Sequence, residues 1–471
     1  MSPKTPGKLR YPFLPDWGDP SWFTFPDCDG DSRKLGVQTY FVDGFLRGVS
    51  TDRELAFMAV VTDARLLAGA LRFSFLSFAL FDCATGHYGT FTDFDHPHAP
   101  GEAAGKLRTA GDHLALDYRG TPGRCRWENR RDSSGALLPF AWHLELEGVD
   151  HHGSPMALEL DIDSNRPPAP IGGRLLDGEM MFLGEPRTFS YFQSGLSMRG
   201  RVAWPGATGG DAPVFDEEVR GEIGWIDRQW AIDDFTKHQG TDVARYRNEW
   251  RVIQLDSGWD MSCFHQFQRD RDNAIVPWTG LSAQGPGPTH ELRATHRVDL
   301  RIPDFVRSPG IVRAPMMLTE GPRWFPRRYR LVVPEWELDL ESEVLVEAPA
   351  HRFPIEYWTG PVRVRGRLFG EEVSGLGFDE RSQPRLRGFE LAAALRSALE
   401  HGPGKGASTG KALALRAWEV EAITRRNAPA EAEAHLVGRV IPGLAGIGGG
   451  EGERLRALAE DLRLVLKGDC A

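Results

Sequence analysis

With 471 residues, 41% of them hydrophobic, and a formal net charge of −10, the chain has material for two or three domain cores. The acidic balance excludes a general nucleic-acid binder, which shows a basic footprint, and the hydrophobic share is that of an ordinary globular protein. Five cysteines (Cys28, Cys83, Cys125, Cys263, Cys470) are scattered, odd in number and never spaced C-x-x-C. They argue against a disulfide framework or a zinc site and for a reducing, cytoplasmic setting. Met1 to Trp17 lacks the apolar run of a secretory signal. The most apolar stretch, Leu66 to Phe81, contains Arg72 and is too short for a transmembrane helix.

Residues 1–34, rich in Pro, Gly and Asp, read as an irregular lead-in. From Leu35 the pattern turns β. Val37–Val42, Leu55–Val61 and Leu71–Leu80 are runs of β-branched and aromatic residues bounded by turn signals such as Asp43-Gly44 and Thr85-Gly86. Further strands are expected at Leu114–Tyr118, Arg124–Trp127, Ala141–Leu146 and Ala157–Ile162, then around Tyr191 and Trp225. Residues 163–178 read as a loop that could lie over a barrel mouth. No helical period interrupts residues 35–234, so a closed or nearly closed antiparallel barrel of about ten strands is the economical architecture. A second β domain is expected over 235–385, with strands at Tyr246–Leu255, Trp259–Gln268, His296–Ile302, Arg328–Val333, Glu341–Val346, Val362–Leu368 and Glu372–Phe378. Arg269–Asn273 and Phe369-Gly370 supply its hairpin turns. Residues 386–471 change character. Leu391–Glu400, Ala412–Arg425 and Arg454–Leu466 carry Ala/Leu-rich helical periodicity, separated by Gly-rich linkers. This tail is expected to pack on the barrels or self-associate, and residues 402–471 to be removable without unfolding them.

The richest stretch for chemistry is Val219 to Trp230. Read as a strand, it places Val219, Ile223, Trp225 and Asp227 on one face, with Arg220, Glu222, Ile226 and Arg228 on the other. A carboxyl group ending an apolar, aromatic face has its anion disfavoured, so its pKa should rise. Acid-catalysed chemistry on a hydrophobic substrate needs such a proton donor. The alternative is a structural Asp227–Arg228 pairing or a turn cap, and the residues alone leave both open. Aromatic faces would steady a carbocation without trapping it. Trp225, Trp230, Tyr191, Phe192 and Trp259 are the candidates, though such rings are more often plain core. Trp259, Met261, Cys263, His265 and Phe267 share a second face, where His265 could position water or act as a base. A lone His there is more often a hydrogen-bonded core residue. Asp93-Phe-Asp-His-Pro-His98 and His151-His152 offer potential metal ligands but read as solvated loops, so no metal is expected. Gly404–Lys411 departs from phosphate-loop spacing, and Gly446–Gly452 lacks a dinucleotide context, so no nucleotide cofactor is implied.

Three segments carry a family likeness. Gly224-Trp-Ile-Asp-Arg-Gln-Trp230 resembles the W-x-D-x-x-W signature, after a glycine, of the lipocalin-like family of carotenoid 1,2-hydratase (hydroxyneurosporene synthase), kievitone hydratase and fungal Diels–Alderases. Ser190-Tyr-Phe-Gln-Ser194 is similar to that family's S-Y-Y-x-S segment. Glu356-Tyr-Trp-Thr-Gly360 and Ser374-Gly-Leu-Gly-Phe-Asp-Glu380 resemble its closing hairpin. Gln38-Thr-Tyr-Phe41 stands where the family has E-W-W-Y, and Thr359 where it has a Glu, so a site using either carboxylate would work differently here. The resemblance implies an all-β protein of two lipocalin-like antiparallel barrels, with a helical tail beyond its reach. It also implies Asp227 as catalytic acid. Tyr191 and His265 are the further catalytic candidates, and Trp225, Trp230, Phe192, Trp259, Tyr357 and Trp358 the substrate-binding ones. The expected function is a cofactor-free lyase or isomerase acting by proton transfer on a hydrophobic polyene, terpenoid or polyketide-like molecule. A pericyclase and a non-enzymatic lipid or pigment carrier are the alternatives. The partner is a hydrophobic small molecule and not nucleic acid. Peripheral membrane contact for substrate uptake stays open, as does the oligomeric state.

Overall fold

The structure, a computed structural model, describes residues 25–31, 36–67, 69–99, 105–176, 178–182, 185–205, 215–231, 245–269, 273–287, 290–307, 323–347, 357–382, 386–402 and 408–468. The fold is all-β, with two curled antiparallel half-barrel sheets and a helical C-terminal region. The chain divides into two compact units, residues 1–296 and 297–471. The expected borders at 34/35 and 234/235 lie outside the described residues, as do most of the expected lead-in and the linker 403–407. No described helix is long and apolar enough to cross a membrane.

The first unit opens with β1 (Val37–Gly48), β2 (Glu54–Leu66), β3 (Leu71–Asp82) and β4 (Tyr88–Phe94). It continues through β5 (Leu107–Thr109), β6 (Ala115–Arg119), β7 (Arg124–Arg131), β8 (Leu137–Val149) and β9 (Pro155–Ser164). Next come β10 (Ala169–Pro170), a short helix α1 (Gly173–Leu176), β11 (Glu179–Phe182), β12 (Glu185–Gln193), β13 (Leu196–Trp204) and β14 (Phe215–Ala231). The main strand order is β4-β3-β2-β1-β14-β13-β9-β8-β7-β6-β5, with β12 flanking β14, and β10 and β11 flanking β12. The sheet curls until its two ends meet through side chains. Tyr118 of β6 donates to the Asp93 carbonyl at 3.1 Å, and the Lys106 ammonium reaches the Asp93 carboxylate at 2.9 Å.

Composition decides which part of this sheet is buried on both faces. In β9, Met156, Leu158, Leu160 and Ile162 point inward, while Glu159 and Asp161 stay outside, opposite Arg201 and Arg199 of β13. In β1 to β3 the apolar runs are continuous, and both faces are buried, Phe41, Met58, Val60 and Phe75 on one and Tyr40, Val42, Phe57 and Val61 on the other. Residues 25–31 form turns that pack into the barrel, with Phe25 and Cys28 in its core. Phe25 meets Tyr191 edge-on at 5.1 Å, Tyr191 donates to the Asp29 carboxylate, and Arg228 donates to the Gly30 carbonyl at 3.2 Å. A Cβ on Gly30 would lie 2.3 Å from the Gly111 carbonyl oxygen, so only glycine fits. Residues 163–178, expected as a loop, instead contribute β10 and α1, with Ala169, Pro170, Ile171 and Gly172 buried.

The first unit ends with β15 (Tyr246–Leu255), β16 (Asp260–Gln268), β17 (Asn273–Gln284) and β18 (Leu292–Thr295), paired in sequence. The second unit holds β19 (Asp299–Arg307), β20 (Trp324–Val333), β21 (Leu338–Val344), β22 (Tyr357–Leu368) and β23 (Glu371–Ser382), each antiparallel to the next. The β22–β23 hairpin turns on Phe369 and Gly370, both at positive φ (53° and 83°), as a two-residue loop requires.

The helices α2 (Gly388–His401), α3 (Ser408–Arg425), α4 (Pro429–His435), α5 (Ile441–Leu444) and α6 (Gly449–Lys467) follow. Leu391 and Leu395 of α2, Ala417 and Val420 of α3 and Leu458 and Leu462 of α6 share one buried cluster with Phe305 and Trp324 from the strands. Buried Asp461 accepts from the Trp324 indole at 2.9 Å and from Arg307 at 2.7 Å. The helical region therefore packs on its sheet, as expected, but as part of its core. That correction removes the physical basis for calling residues 402–471 dispensable.

Candidate active site

β14 is long enough to serve two neighbours, pairing with β13 over its first half and β12 over its second. The register sets Phe192 opposite Asp227 on one side and Phe41 opposite it on the other. Ser190, two residues before Phe192, donates its hydroxyl to Asp227 Oδ1 at 2.7 Å. Phe192 and Trp225 stack at 4.4 Å and 14° on the same face. Asp227 keeps a little accessible area, yet protein surrounds it closely enough for desolvation to dominate. Burial pushes its carboxyl up to about 7, against the opposing pull of the Ser190 hydrogen bond and the Arg228 charge. At neutral pH a large fraction is the protonated acid.

Arg228 does not neutralise it. The alternation of the strand turns Arg228 to the barrel interior, where it donates to the carbonyls of Thr39, Gln229 and Gly30 and to Gln38 Oε1. Its guanidinium lies 3.6 Å from the centre of the Tyr40 ring. Both rivals to an acid at Asp227, a paired carboxylate and a turn cap, lack support in this geometry.

The other candidates separate by face and by unit. Trp225 and Phe192 line the Asp227 face. Tyr191 and Trp230 do not: they lie on the interior face with Arg228, their rings 6.2 Å apart, and the Tyr191 hydroxyl is committed to Asp29. A hydrogen bond from Tyr191 to Asp227 is therefore ruled out by strand parity. His265 sits opposite Glu249 of β15, and burial lowers its pKa to about 4, which keeps it neutral. Trp259 is half-buried before β16, with the Arg293 guanidinium 5.3 Å from its ring. In the second unit, Tyr357 donates to Glu380 and Trp358 stacks on Phe325 at 5.4 Å. Ser190 entered the sequence reading only as part of a family-like segment and not as a site residue, although the same two-residue alternation that groups Trp225 with Asp227 groups Ser190 with Phe192.

A second buried acid also escaped it. Asp260, at the start of β16, accepts from Ser194 at 2.5 Å and pairs with Arg166 at 2.7 Å. Burial raises its pKa to about 6 despite Arg166, Ser194 and Gln254, which lower it. The acid-rich segment 93–98 is structural: Asp93 binds Lys106, and Asp95 accepts the Lys106 backbone N–H at 2.8 Å. Among the described residues no set of three or more His, Cys, Asp or Glu converges as for a metal. An open cleft of about 710 Å³, lined by Gly123, Met156, Phe215 and Asp216 among others, lies at the far end of β14. Eleven residue steps along the strand, ~35 Å, separate Asp216 from Asp227.

No family profile and no curated protein matches the chain. Solved structures share its fold, two of them over most of both chains. A protein from Nitrosomonas europaea assigned as an AttH is 16% identical with a TM-score of 0.52, the match covering 82% of this chain and all of that one. Kievitone hydratase from Nectria haematococca is 12% identical with a TM-score of 0.51, covering 76% of this chain and 92% of that one. At such identities the likeness establishes the two-domain lipocalin-like fold and nothing finer.

Proposed function

We propose that the protein is a lyase or isomerase that works by acid catalysis, without a cofactor, on a hydrophobic polyene, terpenoid or polyketide-like substrate. One observation carries the reading: Asp227 holds a protonatable carboxyl with a pKa of about 7, unpaired by any Arg, beside the Phe192–Trp225 stack. In this reaction the Asp227 proton passes to an alkene carbon, forming a C–H bond and leaving a carbocation at its neighbour. Water adds to the cation, or an internal alkene closes on it, and the proton then lost returns to the Asp227 carboxylate. Ser190 holds the carboxylate in position between these steps, and the flat faces of Trp225 and Phe192 steady the cation. The shared fold with a hydratase agrees with this reading at the level of scaffold.

The test starts from ligand retained by the protein purified from its host, identified by native mass spectrometry. With that compound, Asp227→Asn keeps the side-chain shape, removes the proton donor, and should lower turnover roughly 10²–10⁴-fold with little change in affinity. Unchanged turnover would instead favour a pericyclase that only folds its substrate. Retained affinity with no turnover in the unmodified protein would indicate a carrier.

A further inference from the structure

The face that packs over the β10–β12 edge, next to the strand of Asp227, can be traced from hydrogen bonds. Ser190, Phe192 and Ser194 follow one another at two-residue intervals. Ser190 touches Asp227 and Ser194 touches Asp260. Asp260 is the first residue of β16, and the alternation of that strand puts Asp260, Ser262, Phe264 and Gln266 on one face. Neighbouring contacts confirm which way the face points. The Gly172 N–H donates to Ser282 Oγ at 2.7 Å, Gln284 Nε2 donates to the Pro167 carbonyl at 3.0 Å, and Ser282 is the cross-strand partner of Ser262. The face of β16 and β17 carrying these residues is turned towards the β10–β12 edge of the first sheet, while His265 points away.

Buried polar atoms without a hydrogen-bond partner gather on this face, among them the Trp250 indole N–H and Gln284 Oε1. Ser262 and Gln266 are 0% and 1% exposed, and neither the Ser262 hydroxyl nor the Gln266 amide nitrogen has a hydrogen-bond partner. Phe264 lies between them on β16, and the ring of its cross-strand partner Trp250, whose indole N–H is also unpartnered, is 6.2 Å from it. Buried polar groups in native proteins are normally satisfied, so an unpaired pair invites a ligand. The placement of Gln266 is also fixed. The pairing with β17 bulges between His265 and Phe267, and the Thr279 hydroxyl bonds both the backbone N–H (3.2 Å) and the carbonyl (2.9 Å) of Gln266. Bulges of this kind re-aim a side chain.

We propose that Ser262 and Gln266 form the polar wall of the Asp227 site and select a hydrophobic substrate bearing an oxygen acceptor, a hydroxyl or carbonyl, over a plain hydrocarbon polyene. This assignment rests on the acid-catalysed reading for its site and adds the substrate class to it. The apolar rings take the hydrocarbon body, the amide and hydroxyl hold the oxygen, and the alkene is presented to Asp227.

Farnesol and β-farnesene, fifteen-carbon isoprenoids of which only farnesol carries an oxygen, test it by tryptophan-fluorescence titration of the full chain. The unmodified protein should bind farnesol about tenfold more tightly. Gln266→Leu should abolish the preference while leaving β-farnesene affinity in place. Ser262→Ala, the smaller change, should halve it or more even where Gln266→Leu folds poorly. Equal affinities in the unmodified protein, no saturable farnesol binding, or a preference that survives both changes would overturn the proposal. Asp227→Asn separates it from the catalytic reading: the preference should persist in that variant whatever becomes of turnover.

Discussion

Asp227 links chemistry to stability through its proton. Its folded-state pKa of about 7 lies above the ordinary 3.8, so the folded protein holds this proton more tightly than the unfolded chain does. The resulting stabilisation is complete below about pH 4 and is lost as pH rises through about 7. Asp260, raised to about 6, acts in the same direction over a narrower window. His265, lowered to about 4, acts oppositely, contributing above its ordinary value and losing that contribution on acidification. Comparison of single variants isolates one group from the others. Asp227→Asn should gain stability relative to the unmodified protein between pH 5 and pH 8, read from urea midpoints at the two values. A difference that stays constant with pH would mean that Asp227 remains ionised. At this scale the sequence was partly legible. Period two alone groups Asp227 with Trp225, because both lie on one strand. The partner of Tyr191 depends on how β12 is registered against β14, and no local pattern encodes that offset.

Elements differ in how openly their sequences declare them. The strands β6, β7 and β9 alternate cleanly and were legible to within a few residues. Asn273–Gln284 was not, because Pro277 and Gly280 interrupt its apolar run and both residue types weigh against a strand. The three long helices α2, α3 and α6 were legible from Ala/Leu periodicity, the short α1, α4 and α5 were not, and the role of none was, since a helical stripe does not name the surface it packs on. Here that surface includes Phe305 and Trp324, and the indole N–H of Trp324 has Asp461 as its acceptor. Ending the chain at residue 401 would expose this cluster and leave the Trp324 indole without its partner. The truncated protein should lose the cooperative thermal transition of its second unit, followed by circular dichroism. An unchanged transition would show that the strands 299–382 stand without the helices. Asp461→Ala offers a milder form of the same test, lowering stability by about 1–3 kcal/mol through the unsatisfied indole.

At the scale of the molecule, the fold class was legible because β patterning runs through most of residues 35–385, and solved structures only 16% and 12% identical share the fold. The contacts that hold the first sheet to β15–β18 were not, since they join residues far apart in sequence. Arg166 is central among them, bonding Asp260 at 2.7 Å and the Gly258 carbonyl at 2.7 Å. Arg166→Met would strand a buried carboxylate and should cost about 3–5 kcal/mol at pH 8. Below about pH 6 Asp260 takes up a proton, so the loss should shrink, and adding Asp260→Asn should recover much of it. Hydrogen exchange over β16 and β17 would report the loosening directly, and protection unchanged by Arg166→Met would refute the latch.

The strand that carries Asp227 also sets the timetable on which the chain can mature during synthesis. β1 and β14 are neighbours, and the buried bond between Gln38 and Arg228 spans 190 residues. At ~5–20 residues per second, a ribosome takes roughly 10–40 s to deliver the partner of β1 after β1 itself has emerged. Throughout that interval a long, apolar strand presents an open edge, the feature that most readily recruits another chain. Residues 25–31 wait equally long for Arg228 and Tyr191. The nascent protein is thus a client for any factor that shields strand edges, and its yield should depend on such help more than the stability of the finished barrel would suggest.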